Sequence, residues 1–186
     1  MNKIIYLLKS DTKNHSSFIE DYSDGEESII SRAIGKSWKN FTDYSPVRLE
    51  VSKSDLGKKN FQFDFSGSLK PFLIFSESAF DALNDILAPR GNVLPVITDS
   101  KKKNYVGYYP TNVLSGCFDK ETSVYKKYPL GLKIDKPVLI AANISDDYIF
   151  TIEEDISRIF VTENFKQRVE EAGLLGFDFS VVIPTS

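Results

Sequence analysis

Twice in this chain a short apolar run stops at a hydroxyl residue, a glutamate follows at once, and a helix-patterned stretch leads on to glycine. The first copy, PFLIFSESAFDALNDILAPRGNVLPV, covers residues 71–96, and the second, RIFVTENFKQRVEEAGLLGF, covers residues 158–177. A serine or threonine oxygen accepts from a free backbone N–H at a helix start, and a carboxylate in the first turn opposes the positive end of the helix dipole. Ser76 with Glu77, and Thr162 with Glu163, therefore predict helix starts. Behind them Ala79, Leu83, Ile86 and Leu87 in one copy, and Phe165, Val169 and Ala172 in the other, are spaced to make one apolar stripe. Pro89 and Gly91 close the first helix and Gly173 and Gly176 the second, after which residues 93–97 and 177–183 resume an extended pattern. Strand, helix, strand, used twice, restricts the chain to folds that lay helices on a sheet.

The remaining segments supply that sheet. Strand patterns are predicted over residues 3–9, 47–51, 61–65, 105–109, 138–143, 148–152 and 158–161. The turn-rich SKSDLGKKN between residues 47–51 and 61–65 predicts a hairpin. A short helix over residues 28–34 would end at Gly35, whereas residues 111–131 carry no decisive period. The 14 Phe and 9 Tyr raise the aromatic share to 13%, which favours strands over helices. No linker-like stretch divides the chain. The predicted architecture is a single α+β domain over residues 1–186, a mixed sheet with two strand–helix–strand units and few helices.

Charge and cysteine usage narrow the partners. A net charge of -3 and a pI near 5.3 argue against a general nucleic-acid binder, which needs a concentrated basic surface. The lone cysteine, Cys117, has no partner for an internal disulfide and suits a reducing compartment. The apolar run at residues 4–8 is short for a signal-peptide core and reads as an edge or first strand. No stretch reaches membrane-spanning length, so the expected location is the cytoplasm, with no membrane and no nucleic acid as partner.

Reactive chemistry is sparse. His15, the one histidine, sits in a polar segment and reads as a surface residue, and Cys117 reads as a small buried apolar group. Nucleophile-elbow, phosphate-cradling and dinucleotide motifs are missing, zinc lacks ligands, and no cofactor is implied. EDYSDGEE resembles a calcium loop, but with Gly25 at the glycine position Tyr22 and Ser31 fall where carboxylates belong. Asp146, Asp147, Glu153, Glu154 and Asp155 form the one set from which an acid–base pair for a small hydrolase could come, and adjacent loop acids are usually just solvated. The chain is expected not to be an enzyme.

The charges are nonetheless grouped. Residues 20–27 and 146–155 are acidic, while residues 101–136 hold Lys101, Lys102, Lys103, Lys120, Lys126, Lys127, Lys133 and Lys136 against Asp119, Glu121 and Asp135. Opposed patches steer and orient a charged protein partner, and Tyr22, Tyr108, Tyr109, Tyr125 and Tyr148 beside them are residue types that serve as interface anchors or as core.

Three stretches carry a family resemblance: PFLIFSESAFDALNDILAPRGNVLPVI, YVGYYPTNVLSGCFDKETSVY and RIFVTENFKQRVEEAGLLGFDF. Together they resemble the bacterial polymorphic-toxin immunity families catalogued as immunity proteins 11 and 43, over roughly residues 70–180; residues 1–65 match only loosely. The family's aspartate and serine a few residues apart look like Asp119 and Ser123, which would hold a turn, with Tyr125 just after. The resemblance implies a non-enzymatic protein that binds and neutralises a cognate toxin. Against a basic toxin, Asp146, Asp147, Glu153 and Glu154, with Tyr148 among them, would mimic a phosphate substrate; against an acidic one, the lysine-rich segment would face it; of the two, the acidic residues are the expected toxin-binding set. The alternatives are the carboxylate hydrolase and a protein-binding adaptor with no toxin.

Overall fold

Burial alternates along residues 47–50, as in a strand with one wet face, whereas Leu73–Ser76 and Ile149–Ile152 are buried throughout, as in strands covered on both faces. The computed structural model describes residues 3–21 and 25–186, so Tyr22 and Asp24 lie outside the described residues. Its strands are β1 (Ile5–Leu7), β2 (Lys9–Ser10), β3 (Ser17–Glu20), β4 (Val47–Ser52), β5 (Phe65–Ser66), β6 (Leu73–Ser76), β7 (Gly91–Ile97) and β8 (Tyr105–Pro110). They continue as β9 (Val113–Leu114), β10 (Val124–Tyr128), β11 (Gly131–Lys136), β12 (Ile149–Ile152), β13 (Asp155–Thr162), β14 (Phe177–Asp178) and β15 (Val182–Ile183). The α-helices are α1 (Ile29–Gly35), α2 (Glu77–Ala82), α3 (Asn84–Leu87) and α4 (Glu163–Glu171).

Two sheets organise a mixed α+β domain. One has the order β15-β1-β13-β12-β9 and the other β3-β4-β7-β8-β6-β5, while β2 pairs with β14 and β10 with β11. All pairings are antiparallel except β4 with β7 and β9 with β12. The six-stranded sheet curls until its edges meet, because β5 comes back against β3 and the Phe18 N–H donates to Ser66 Oγ at 3.0 Å. Phe18, Val47, Leu49, Ile74, Leu94 and Tyr109 fill its interior, closed by Ile29 and Ala33 of α1. A second core lies between the sheets, where Tyr6, Ile159 and Val161 meet Leu73, Phe75 and Tyr108. The helices bury their apolar stripes there: Ala79, Leu83, Ile86, Leu87, Phe165 and Val169 all belong to it, whereas Ala172 is exposed at the end of α4.

Both helix starts use the hydroxyl. Ser76 Oγ accepts from the Ala79 N–H at 3.1 Å and Thr162 Oγ1 from the Phe165 N–H at 3.4 Å. The first helical stretch breaks at Leu83 (φ -111°, ψ 13°), which splits it into α2 and α3. The loop after α1 ties the two sheets together. Ser37 and Trp38 adopt left-handed φ values of 47° and 63°, a conformation that costs a residue with a side chain about 1–2 kcal/mol. It is held by Tyr109 on β8, whose hydroxyl accepts from the Trp38 N–H at 2.9 Å and donates to the Ala33 carbonyl at 2.7 Å. The indole N–H of Trp38 in turn donates to Thr151 Oγ1 on β12 at 2.6 Å.

Three expectations are corrected. Residues 61–64 are not a strand hairpinned with β4; β4 pairs with β3 and β7, and residues 53–58 lean instead on the first turn, with Asp55 N–H bonded to the Thr12 carbonyl and Leu56 N–H to that of Lys13. Their aromatic alternation is real but is spent on packing, and Tyr105 OH caps the Phe61 and Phe63 carbonyls where a ladder would have been. Residues 138–143 form only isolated bridges at Leu139 and a 3₁₀ turn at Ala141–Asn143. The N-terminal run is the first strand, as expected, but an interior one and not an edge, since β1 lies between β15 and β13.

Gly107 on β8 leaves room for the Phe72 ring, because a Cβ there would stand 2.3 Å from Phe72 Cζ. Gly107→Ala should cost about 2 kcal/mol, read as a lower urea midpoint at unchanged m-value. Burial raises the phenol pKa of Tyr44, Tyr105, Tyr108 and Tyr109 above 10.0. The folded state therefore keeps these protons after the unfolded chain, titrating near about 10, has lost them. Their contribution is complete below that pH and is lost as pH rises through the folded values. Urea midpoints should fall steadily above about pH 10, with the tyrosinate absorbance of these four rising only together with unfolding.

Candidate interaction surface

The acidic loop expected to reach a partner is divided by β12. Asp146, Asp147 and Tyr148 precede that strand and Glu153 and Glu154 follow it, so its four residues put about 13 Å of chain between the groups. Asp146 is turned inward: its side chain is 10% exposed, and four donors saturate it. Oδ1 accepts from the Tyr148 and Ile149 N–H groups at 2.7 and 3.0 Å, while Oδ2 accepts from Arg90 Nε at 2.8 Å and Asn112 Nδ2 at 2.7 Å. The Arg90 guanidinium also lies 5.2 Å from the Tyr148 ring centroid, which fixes that ring beneath it. Asp147 is exposed and pairs with Lys3 at 3.0 Å. In the β12–β13 turn Glu153 is exposed, whereas Glu154 Oε2 is buried with no hydrogen-bond partner among the described residues. Asp155 is bound to Arg158 at 2.7 Å.

The two side chains best suited to nucleophile or base work are tied elsewhere. Cys117 is fully buried behind the five-stranded sheet and its thiol donates to the Asn143 carbonyl at 3.2 Å. Burial pushes its pKa up, with the charges of Glu154 and Glu153 adding to the effect, so the thiolate is disfavoured. His15 lies in the turn between β2 and β3, 3.4 Å from the Asp11 carboxylate. Among the described residues no group of three or more His, Cys, Asp or Glu side chains is arranged to hold a metal ion.

The lysine-rich segment is divided: Lys101, Lys102 and Lys103 lie in the loop between β7 and β8, where Lys103 pairs with Asp64 at 2.7 Å, and residues 124–136 form a hairpin of β10 and β11. It is hung from the domain by its inner face: Tyr125 packs edge-on against Phe118 at 5.4 Å, Ile134 and Leu132 join the core behind the five-stranded sheet, and Arg158 Nη2 donates to the Ile134 carbonyl at 2.8 Å. The turn leading into it is set by Asp119 and Ser123. Asp119 Oδ1 accepts from the Glu121 and Thr122 N–H groups, and Ser123 Oγ accepts from the Val138 N–H at 2.8 Å. With Tyr125 opposite Ile134 facing inward, alternation turns the next pair, Lys126 opposite Lys133, outward with Tyr128. That outer face also carries hydrophobic side chains, since Val124 and Tyr128 are 51% and 55% exposed and Leu130 at the tip is fully exposed.

Sequence reasoning located the lysines but not their arrangement. Alternation through VYKKYPLGLKID, interrupted by Pro and Gly, was the available hairpin signal. Nothing local to residues 146–148 points to Arg90 or Asn112, which arrive from 56 and 34 residues away.

No family model and no curated protein matches this chain. The local structure that holds Asp146 predicts its own test. Asp146→Asn removes the charge facing Arg90 and sets an amide against N–H donors, and should lower stability by about 3 kcal/mol in a urea titration, with Asp147→Asn close to neutral.

Proposed function

We propose that the chain is an immunity protein: it binds a cognate secreted bacterial toxin in the cytoplasm of the cell that makes it and neutralises it by protein–protein contact, without catalysis. The observation that carries this reading is the hairpin, which presents half-exposed Val124 and Tyr128 and fully exposed Leu130 among outward lysines. Aromatic and apolar groups ringed by charge are the composition of a protein-binding surface. The resemblance of residues 70–180 to the immunity families points the same way, and we read the two strand–helix–strand stretches as one architectural solution used twice.

The tethered states of Cys117 and His15 favour inhibition by binding over turnover. A carboxylate hydrolase needs its two acids roughly 5–9.5 Å apart, and β12 stands between Asp146 and Glu154. For location, no helix among the described residues is long and apolar enough to cross a membrane. Of the acids expected to meet a basic toxin, Asp146 is spent inside the fold, which leaves Asp147, Glu153 and part of Glu154 for that role.

Co-expression with the C-terminal domain of the protein encoded directly upstream provides the test. Restored growth of the host, together with a complex that survives affinity purification, is the expected result. Growth arrest that the chain neither relieves nor binds would overturn the toxin reading, and a stable complex with a housekeeping assembly in its place would establish the adaptor.

A further inference from the structure

Lys126 and Lys133 are direct cross-strand partners, and like charges in that position, with Cβ atoms about 5 Å apart, weaken a sheet. Neither they nor Lys127 and Lys136 make an ion pair with a described carboxylate. Elsewhere some exposed charges are paired across elements, as with Lys3 and Asp147 or Arg168 and Asp85. On the same face Val124, Tyr128 and Leu130 meet water. The hairpin thus combines two features that cost stability in the free chain and that one kind of contact would relieve together.

We propose that the outward face of the β10–β11 hairpin docks a compact acidic surface of a partner protein, with Tyr128 and Leu130 entering an apolar socket between its carboxylates. This rests on the reading of the chain as a protein-binding inhibitor and names the chemistry of what it binds. Along the β11 side of the hairpin lies an open groove of about 350 Å³, lined by Lys133 and Lys70 together with Leu132, Ile134, Asp155 and Arg158. Lys70 has no described carboxylate within ion-pair distance, and burial, with Arg158 nearby, holds its ammonium below the usual lysine range. Asp155 lies near enough to offset part of this but is itself bound to Arg158, so a carboxylate of the partner seated there adds a counter-charge for Lys70.

A protein fits this face better than a polyanion. Residues 119–136 hold five lysines but also Asp119, Glu121 and Asp135, and a duplex or an anionic membrane would cover these acids along with the lysines. The segment contains no arginine, the side chain whose fork matches phosphate oxygens. Tyr128 and Leu130 have no counterpart to meet on a phosphate backbone, whereas an acidic protein surface offers them apolar atoms.

A fluorescein-labelled peptide of about eight residues, alternating glutamate with leucine and phenylalanine, serves as the probe by anisotropy at about 50 mM salt, where surface charges are weakly screened. A DNA duplex and vesicles of phosphatidylserine in phosphatidylcholine are titrated alongside. Saturable peptide binding is expected, weakened at least about tenfold by Lys126→Glu with Lys133→Glu and severalfold by Tyr128→Ala with Leu130→Ser. Lys126→Glu alone converts a repulsive cross-strand pair into an attractive one, so it should raise Tm by about 1–3 °C while weakening the peptide; a merely structural lysine would not separate the two readouts. Peptide binding that is absent, or indifferent to the lysine reversals, would sink the proposal, as would tighter binding of the duplex or the vesicles. Peptide binding without toxin neutralisation would instead count against the immunity reading alone, and a neutralised toxin whose complex ignores Lys126→Glu would count against this docking face alone.

Discussion

Three distant stretches of chain converge on Asp64, a buried residue. Ser76 Oγ donates to Oδ1 at 2.8 Å, Lys103 Nζ approaches the same oxygen at 2.7 Å, and the Leu175 N–H donates to Oδ2 at 2.8 Å. The backbone repeats the connection, with Ser76 N–H bonded to the Asp64 carbonyl and Asp64 N–H to that of Leu175. A carboxylate taken out of water stays charged only where such donors meet it. Their presence fixes the corner from β6 to α2, the loop between β7 and β8, and the return of the chain after α4. Because Ser76 Oγ also accepts from Ala79, the same aspartate sets the rotation at which α2 and α3 turn their apolar stripe into the core between the sheets. At the second corner a backbone carbonyl takes the place of the carboxylate: Thr162 Oγ1 donates to the Asp147 oxygen.

That arrangement has an electrostatic consequence. Asp64 and Asp146 are both drawn inside, each with a side chain 10% exposed and each matched to a cation that comes in with it. The lysines of β10 and β11 receive no such match. A chain with net charge -3 therefore carries on this hairpin exposed lysines that are unpaired among the described residues, set by where the fold spends its carboxylates rather than by composition.

Local chemistry was legible in the sequence and long-range pairing was not. Ser76–Glu77 and Thr162–Glu163 identify helix starts because a cap needs only residues three apart. The inward stripe follows from spacing alone, and Ala172 departs from it because the helix ends there. Residues 61–65 show why alternation misleads: it reports which side chains are buried and is silent on which backbone, if any, lies alongside. The acidic loop fails for a related reason. Asp146 and Asp147 are identical in type and adjacent, yet one is bound to Arg90 and Asn112 and the other lies open to water beside Lys3. The hairpin's lysines could be counted, but their outward direction depends on Tyr125 finding Phe118 and Ile134 finding the core.

The loop that carries Trp38 touches both sheets through one residue: its backbone N–H on Tyr109 of the six-stranded sheet, its indole on Thr151 of the five-stranded one. Trp38 is also the chain's single tryptophan. Its emission is accordingly a built-in gauge of whether the two sheets are seated on one another, since sliding or parting would strip the indole of its hydroxyl acceptor and admit water. The molecule needs no added label for its inter-sheet contact to be followed in real time, and a ligand that loosens or tightens that contact would register as a spectral shift even when it binds far from the loop.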